Sequence, residues 1–303
     1  MNDKTISKEA PENILQCWNL SGTAEQIYST AWQVNDKYVL KRYEDLETLK
    51  KNAEMLTVLH EMEIPVAEII PVPSGDPYAC CDERYYMLSK KLPGNSETDI
   101  KHEGIAEKMG EILGRLHLAF RKCEERLELW DNSLLDEMNG WVAESLSREK
   151  WLDEETFRSA VGNLQDGYDR LPRQLIHRDV HFGNFLFDHG EFSGYIDFDL
   201  SQKNIRIFDI CYFLTGLLSS QIGSGLDTEE WLRIVKDAAA GYEKWIPLLP
   251  EEKKAFPYVM ENIELLFAAY FNLPEQADFR NNALKMFYFV RGQEAQIHKM
   301  LEE

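Results

Sequence analysis

The run LIHRDVHFGNFLF, residues 175–187, limits what this chain can become more than any other stretch. It places His177, Asp179 and Asn184 in the spacing H-x-D-x-x-x-x-N between two apolar triplets, and GYIDFD at 194–199 then adds Asp197 and Asp199. LIH, FLF and GYIDFD read as very short strands parted by turn residues, so the polar side chains between them fall on loops. Taken singly, Asp and Asn in such places are turn residues that bond their own backbone. Taken together they are a donor set for phosphoryl transfer. One carboxylate orients a hydroxyl, while an amide oxygen and a second carboxylate hold magnesium on nucleotide phosphates. Keeping base and metal ligands on one short stretch fixes their separation, and positioning with charge neutralisation is most of what a protein contributes to that reaction. His177 and His181 are four apart, but Gly183 and the short strands argue against one helical face, and no HExxH occurs, so zinc is disfavoured.

The rest of the chain divides unequally. IYSTAWQV (27–34) and YVLKRY (38–43) predict two strands joined at Asn35 and Asp36. Leu46, Leu49, Ala53, Leu56 and Leu59 recur at helical spacing and predict a helix over 45–62, with Pro65 as its stop. RYYMLSK (84–90) predicts a further strand that LPGN (92–95) breaks. Helical spacing then dominates at 105–120, 141–170, 229–245, 261–271 and 283–301, interrupted only by residues 175–199.

Composition narrows the function classes. At roughly 150 residues per domain, 303 residues suggest one large or two medium domains around a sizeable core. Lys and Arg (33) against Asp and Glu (53) give a formal charge of -20, which repels nucleic acid and anionic lipid alike. Five cysteines (Cys17, Cys80, Cys81, Cys123, Cys211) without a CxxC pair argue against a disulfide framework or zinc ribbon and for a reducing compartment. The N-terminus lacks a basic start followed by an apolar core, and the most apolar run, Ile207 to Leu218, contains Asp209 and is too short for a bilayer. A cytoplasmic location is expected.

HRDVHFGNFLF followed by YIDFDLSQKNIRIFDICYFL resembles the catalytic loop and metal segment of the aminoglycoside phosphotransferase and choline kinase superfamily, over most of the chain. The resemblance implies an α+β, bilobal protein-kinase-like fold: a small α/β nucleotide-binding lobe over 1–90 and a larger, mainly helical lobe over 91–303, with the nucleotide in the cleft between them. It further implies ATP and Mg2+ as cofactors, Asp179 as catalytic base, Asn184 and Asp197 as magnesium ligands, Asp209 as a structural acid bracing the loop and His177 as its support. Lys41 falls where the family's phosphate-binding lysine sits. Gly22, in SGTAEQIYSTAW, would belong to the nucleotide-covering loop, and Leu88, Ser89 and Lys90 to the hinge whose backbone pairs with adenine. Two departures stand out. The covering loop has one glycine instead of several, and the position of the family's lysine-pairing Glu is Asn52, so Lys41 needs another carboxylate partner or is held more loosely.

Asp199 reads equally as a second metal ligand or as a polar residue after a short strand. Asp131, Asp136, Glu137, Glu261 and Glu264 suit either a pocket for a cationic acceptor or, more simply, a solvated acidic surface. Trp130, Trp141, Trp231, Tyr242, Trp245, Tyr270 and Tyr288 suit a box for a quaternary ammonium, or more simply core. Without an APE-like segment, and with only a short stretch between Asp197 and Asp209, a protein substrate is disfavoured. The expected activity is ATP-dependent transfer of the γ-phosphoryl group to a hydroxyl of a small molecule, aminoglycoside-like, amino alcohol or amino acid. The alternatives are a choline- or ethanolamine-type kinase and a non-catalytic kinase-like binding or coat scaffold.

Overall fold

The computed structural model describes residues 12–96, 100, 103–221 and 226–302. Contacts divide the chain into two units, and the division is not a single cut. The described residues up to Asn95 form the first unit together with Phe185–Asp199, while Ser96–Asn184 and Leu200–Glu303 form the second. The expected boundary at 90/91 therefore omits the segment 185–199, which returns to the first unit.

In the first unit, a short helix α1 (Glu12–Leu15) precedes β1 (Ala24–Tyr28), β2 (Ala31–Val34) and β3 (Tyr38–Tyr43). IYSTAWQV is thus not one strand. It turns at Ser29 and Thr30, and Asn35 and Asp36, both at positive φ, make the second turn. The helix α2 (Leu46–Glu61) starts where the Asp45 side chain accepts from the Thr48 N–H at 2.7 Å. It buries Leu49, Ala53, Leu56 and Leu59 as its spacing predicts. Strands β4 (Ile69–Ile70), β5 (Ala79–Cys81) and β6 (Arg84–Lys90) complete a sheet in the order β1-β2-β3-β6-β4, with β5 also on β6. Its core includes Trp18, Val34, Leu40, Tyr86 and Leu88. After β7 (Asn95–Ser96) and, in the second unit, β8 (Arg173–Ile176), the chain forms β9 (Phe185–Asp188) and β10 (Glu191–Tyr195), an antiparallel hairpin whose Tyr195 N–H donates to the Pro65 carbonyl at 2.9 Å.

The second unit is mostly helical. Its elements are α3 (Ile105–Cys123), α4 (Leu134–Glu137), α5 (Ala143–Glu149), α6 (Glu154–Gln165), α7 (Ile207–Gln221), α8 (Thr228–Glu243), α9 (Pro250–Tyr270), α10 (Ala277–Gly292) and α11 (Glu294–Glu302). The stretch expected as helix over 141–170 is broken. Gly140 leaves helical geometry, Lys150 takes a left-handed conformation after α5, and Asp153 caps α6 by accepting from the Thr156 N–H at 2.8 Å. A residue in a left-handed conformation stops the helical hydrogen-bond ladder, which apolar spacing does not reveal. The small residues Gly110 and Gly241 let α3 and α8 touch backbone to backbone: a Cβ at Gly110 would lie 2.0 Å from the Ala238 carbonyl oxygen, and one at Gly241 1.9 Å from that of Glu107. Strand β8 pairs antiparallel with β11 (Gln202–Ile205), which sequence patterning missed. Among the described residues no helix is long and apolar enough to cross a membrane.

Candidate active site

In the second unit, the catalytic loop is held by Asp209, a fully buried carboxylate near the start of α7. Its oxygens accept from the backbone N–H groups of His177 (2.7 Å) and Arg178 (2.8 Å), and from His117 Nε2 on α3 (2.9 Å). His117 Nδ1 lies 2.8 Å from the Tyr242 hydroxyl on α8, a pattern satisfied by the tautomer with Nε2–H donating and Nδ1 accepting. Arg178 sits at φ 73°, unusual for a residue with a side chain, and its guanidinium donates to both oxygens of Glu137 at 3.0 and 2.8 Å while lying 4.4 Å from the Phe208 ring centre. Side chains from α7 and α4 thus hold two residues of one turn directly, and α3 and α8 support the Asp209 carboxylate behind them, a bracing arrangement of the kind the resemblance implies.

Asp179 follows in that turn. Asn184 donates from Nδ2 to the Asp179 carbonyl (2.9 Å) and to its Oδ2 (3.0 Å), and Tyr212 donates from its hydroxyl to Oδ1 at 2.9 Å. His181 Nε2 stands 3.5 Å from Oδ2. Burial by itself pushes the Asp179 carboxyl up, but His181 and the Tyr212 hydroxyl outweigh it and hold it below the ordinary value, in its proton-accepting form. With the Asn184 amide nitrogen engaged on Asp179, the amide carbonyl is the atom it can turn to a hard cation.

In the first unit, Lys41 on β3 has two carboxylate partners, Asp197 Oδ1 at 2.8 Å and Asp199 Oδ2 at 2.7 Å. Asn52 on α2 is buried and donates to Asp199 Oδ1 at 2.6 Å, with the Tyr43 hydroxyl 3.5 Å away. The question posed by Asn52 is answered here: Asp199 is the substitute carboxylate, and Asn52 orients it instead of the lysine. Burial works against the Lys41 charge, yet Tyr43, Asp199 and Asp197 outweigh it and hold the ammonium above its ordinary value. Asp197 adopts φ 63° and its side chain remains 48% exposed while Oδ1 is on Lys41. Among the described residues no three of His, Cys, Asp and Glu gather into a metal-binding group. Magnesium is commonly held by one or two protein oxygens plus substrate phosphates, and in its own unit each of Asn184 and Asp197 offers one hard oxygen of that kind.

The nucleotide-binding expectations are placed less simply. Gly22 lies before β1, at φ 149°, where a Cβ would sit 1.8 Å from Asn35 Oδ1. Asn35 closes this turn by donating to the Ser21 carbonyl (3.0 Å) and accepting from the Thr23 N–H (3.2 Å), whereas the tip joining β1 to β2 is Ser29 and Thr30. Leu88, Ser89 and Lys90 lie inside β6. Leu88 and Ser89 have β3 on one flank and β4 on the other, and the Lys90 N–H donates to the Glu68 carbonyl at 2.8 Å. Both edges of this strand are thus engaged at Leu88 and Ser89, and the chain leaves the sheet after Lys90. There Lys91, Leu92, Pro93 and Gly94 line a depression with Asp36.

A sequence model of the phosphotransferase enzyme family matches residues 21–249. The chain belongs to that family. The homoserine kinase of Polaromonas naphthalenivorans (strain CJ2) is 27% identical to this phosphotransferase over 259 residues, covering 81% of this chain and 78% of the relative. Among solved structures, an amicoumacin kinase in complex with AMP-PNP, Ca2+ and Ami aligns with a TM-score of 0.69 at 15% identity, over 99% of this chain and 96% of that one. A microcompartment-associated aminopropanol kinase aligns at 0.67 and 15% identity, over 95% and 98%. The fold is protein-kinase-like, mixed α and β, as the resemblance implied. Small-molecule kinase, the activity expected from the sequence, is the one this family and these relatives support.

Several residues of the phosphotransferase's site escaped the sequence. Tyr212, His117 and Tyr242 sit in helical runs that read as core, and Glu137 among acids that read as surface. Glu261 and Glu264 are not surface either, at 1% and 4% exposed. Of the aromatic residues considered for a ligand box, Trp231 and Tyr242 are core, while Trp130, Trp141, Trp245, Tyr270 and Tyr288 are exposed.

Proposed function

We propose that this phosphotransferase moves the γ-phosphoryl group of ATP to the hydroxyl of a small acceptor that also carries an amine. Asp179 takes the hydroxyl proton, Asn184 and Asp197 hold Mg2+, and Lys41 contacts the nucleotide phosphates. The observation that carries this reading is the Asp179 carboxylate, kept ionised and restrained by Asn184 and Tyr212 in a turn that Asp209 braces. An ionised, restrained carboxylate is what a hydroxyl acceptor needs for orientation as its proton departs.

Lys41 is poised for anions. Its ammonium is held by two carboxylates that are 48% and 35% exposed, so phosphate oxygens can take over those contacts without a large desolvation cost. When bound, the cation neutralises charge on the nucleotide phosphates. Adenine is assigned to the backbone just after Lys90 instead of to Leu88 and Ser89, for the reason of strand pairing given above. Two observations support an amine on the acceptor. The printed activities of similar proteins include homoserine kinase and aminopropanol kinase. Glu264 is nearly fully buried and among the described residues has no Lys, Arg or His in ion-pairing distance; burial lifts its carboxyl to about 8 against the weaker pull of Thr215. An acceptor ammonium brought near it would restore its charge.

The test is a screen of amino alcohols, hydroxy amino acids, sugars and aminoglycosides with ATP and Mg2+, read by mass of the phosphorylated product. Product from amine-bearing alcohols, lost in Asp179→Asn, is expected. Nucleotide binding without transfer to any of them would favour the scaffold reading.

A further inference from the structure

Tyr212 belongs to no motif of the catalytic loop, and the proposed chemistry as stated makes no use of its hydroxyl beyond restraint. It lies on α7, one turn beyond Asp209, and its ring is fixed from two sides. Phe208 stacks on it at 6.0 Å and 18°, and Phe267 of α9 meets it at 5.6 Å and 44°. Phe208 in turn carries the Arg178 guanidinium. A hydroxyl on so constrained a ring has little freedom, and it points at one atom, Asp179 Oδ1, 2.9 Å away.

The two oxygens of Asp179 are not equally occupied. Oδ2 faces both Asn184 Nδ2 (3.0 Å) and His181 Nε2 (3.5 Å), while Oδ1 receives Tyr212. Each carboxylate oxygen has two lone pairs, so Oδ1 keeps one for another donor. We infer that Tyr212 is a positioning residue for phosphoryl transfer: its hydroxyl fixes the plane of the Asp179 carboxylate so that the remaining lone pair of Oδ1 receives the acceptor hydroxyl. The inference rests on Asp179 being the base. Without Tyr212, rotation of the carboxylate about its last torsion is opposed from the Oδ2 side alone, and the near-attack geometry of the acceptor is populated less often.

Charged and titratable groups from several elements face this pair. His177, Arg178 and His181 come from the loop itself, Tyr212 from α7 and Glu264 from α9. Burial, with Asp179 and Glu264 beside it, pushes the Tyr212 hydroxyl well above its ordinary value, so it stays a donor throughout the working pH range.

The test is Tyr212→Phe, which keeps the ring between Phe208 and Phe267 and removes one oxygen. Expected are an unchanged thermal midpoint within a few degrees and kcat lower by about tenfold with KM for ATP unaltered. Wild-type kcat overturns the inference, and so does a fall in kcat accompanied by an equal rise in KM for ATP or by a lowered thermal midpoint. Asp179→Asn separates the two claims: if it remains active, the base assignment has failed; if it is inactive while Tyr212→Phe behaves as wild type, only the role of Tyr212 has failed.

Discussion

Lys41 in the first unit and Asp179 in the second are both buried more than halfway, yet they are held by different means. Around Lys41 the restraint is ionic and lies in side chains: Asp197 and Asp199 at 2.8 and 2.7 Å, with Asn52 steering the second. Around Asp179 the restraint begins in the backbone, where one buried carboxylate, Asp209, receives the N–H groups of His177 and Arg178, and only then extends to Asn184 and Tyr212. Ion pairs between half-exposed groups are exchangeable for little free energy, whereas a buried carboxylate that satisfies backbone donors is not. The difference suits the two proposed tasks: a lysine that trades partners when phosphates arrive, and a base that does not move.

Substitutions can break this contrast. The largest effect is expected for Asp179→Asn, which removes the proton acceptor and keeps the shape; turnover should fall by about 10³ while the circular dichroism spectrum and melting temperature hold. Residual activity above a tenth of wild type would remove Asp179 from the chemistry. Next comes Asp209→Ala, which leaves two backbone N–H groups and His117 without their acceptor inside the protein. Chemical denaturation should show a loss of about 3 kcal/mol or more, and a melting curve matching wild type would contradict the bracing role.

Lys41→Met sharpens the comparison from the other side. Removing an exchangeable cation should cost about 10² in kcat/KM for ATP and less than about 1 kcal/mol of stability. An unfolded Lys41→Met protein would show that the ion pairs are structural after all. Asn52→Ala frees Asp199 to rotate without touching Lys41, and a roughly threefold to tenfold rise in KM for ATP is expected from equilibrium binding and kinetics.

The smallest effect concerns pH. Burial raises Glu264 to about 8 and Glu261 to about 7, the latter against a lowering from Arg291 and with a further rise from Glu294, from an ordinary 4.5. A raised carboxyl means that the folded protein binds more protons than the unfolded chain between those values, so stability falls as pH climbs from about 5 to 8. Glu264→Gln should melt like wild type near pH 5 and above it near pH 8. Parallel curves across that range would show that Glu264 is ionised at both.

The candidate loop was legible because it is local. His177, Asp179 and Asn184 occupy one short loop, and a motif on one loop survives as a spacing in sequence. The helix over Leu46–Glu61 was equally readable, since burial on one face leaves a period of 3.6 residues. Gly22 shows where this logic ends. A single glycine in a loop suggests permissive backbone, and the structure uses it so that Asn35, thirteen positions on, can close a turn. At Leu88 to Lys90, likewise, strand patterning identifies β6 but not that both of its flanks are covered.

By itself, then, the sequence determined the spacing of the candidate donor residues, the mixed α and β composition with a mainly helical second part, and the asparagine in place of the usual glutamate at position 52, all of which are properties of neighbouring residues or of short periods. Only the tertiary structure decided the rest. It paired Lys41 with Asp197 across 156 positions, set Tyr212 on Asp179 across 33, and buried Glu264 with no cation in ion-pairing distance among the described residues. Such contacts form because packing brings remote segments together, and a residue's neighbours along the chain carry almost no information about which remote side chain will face it.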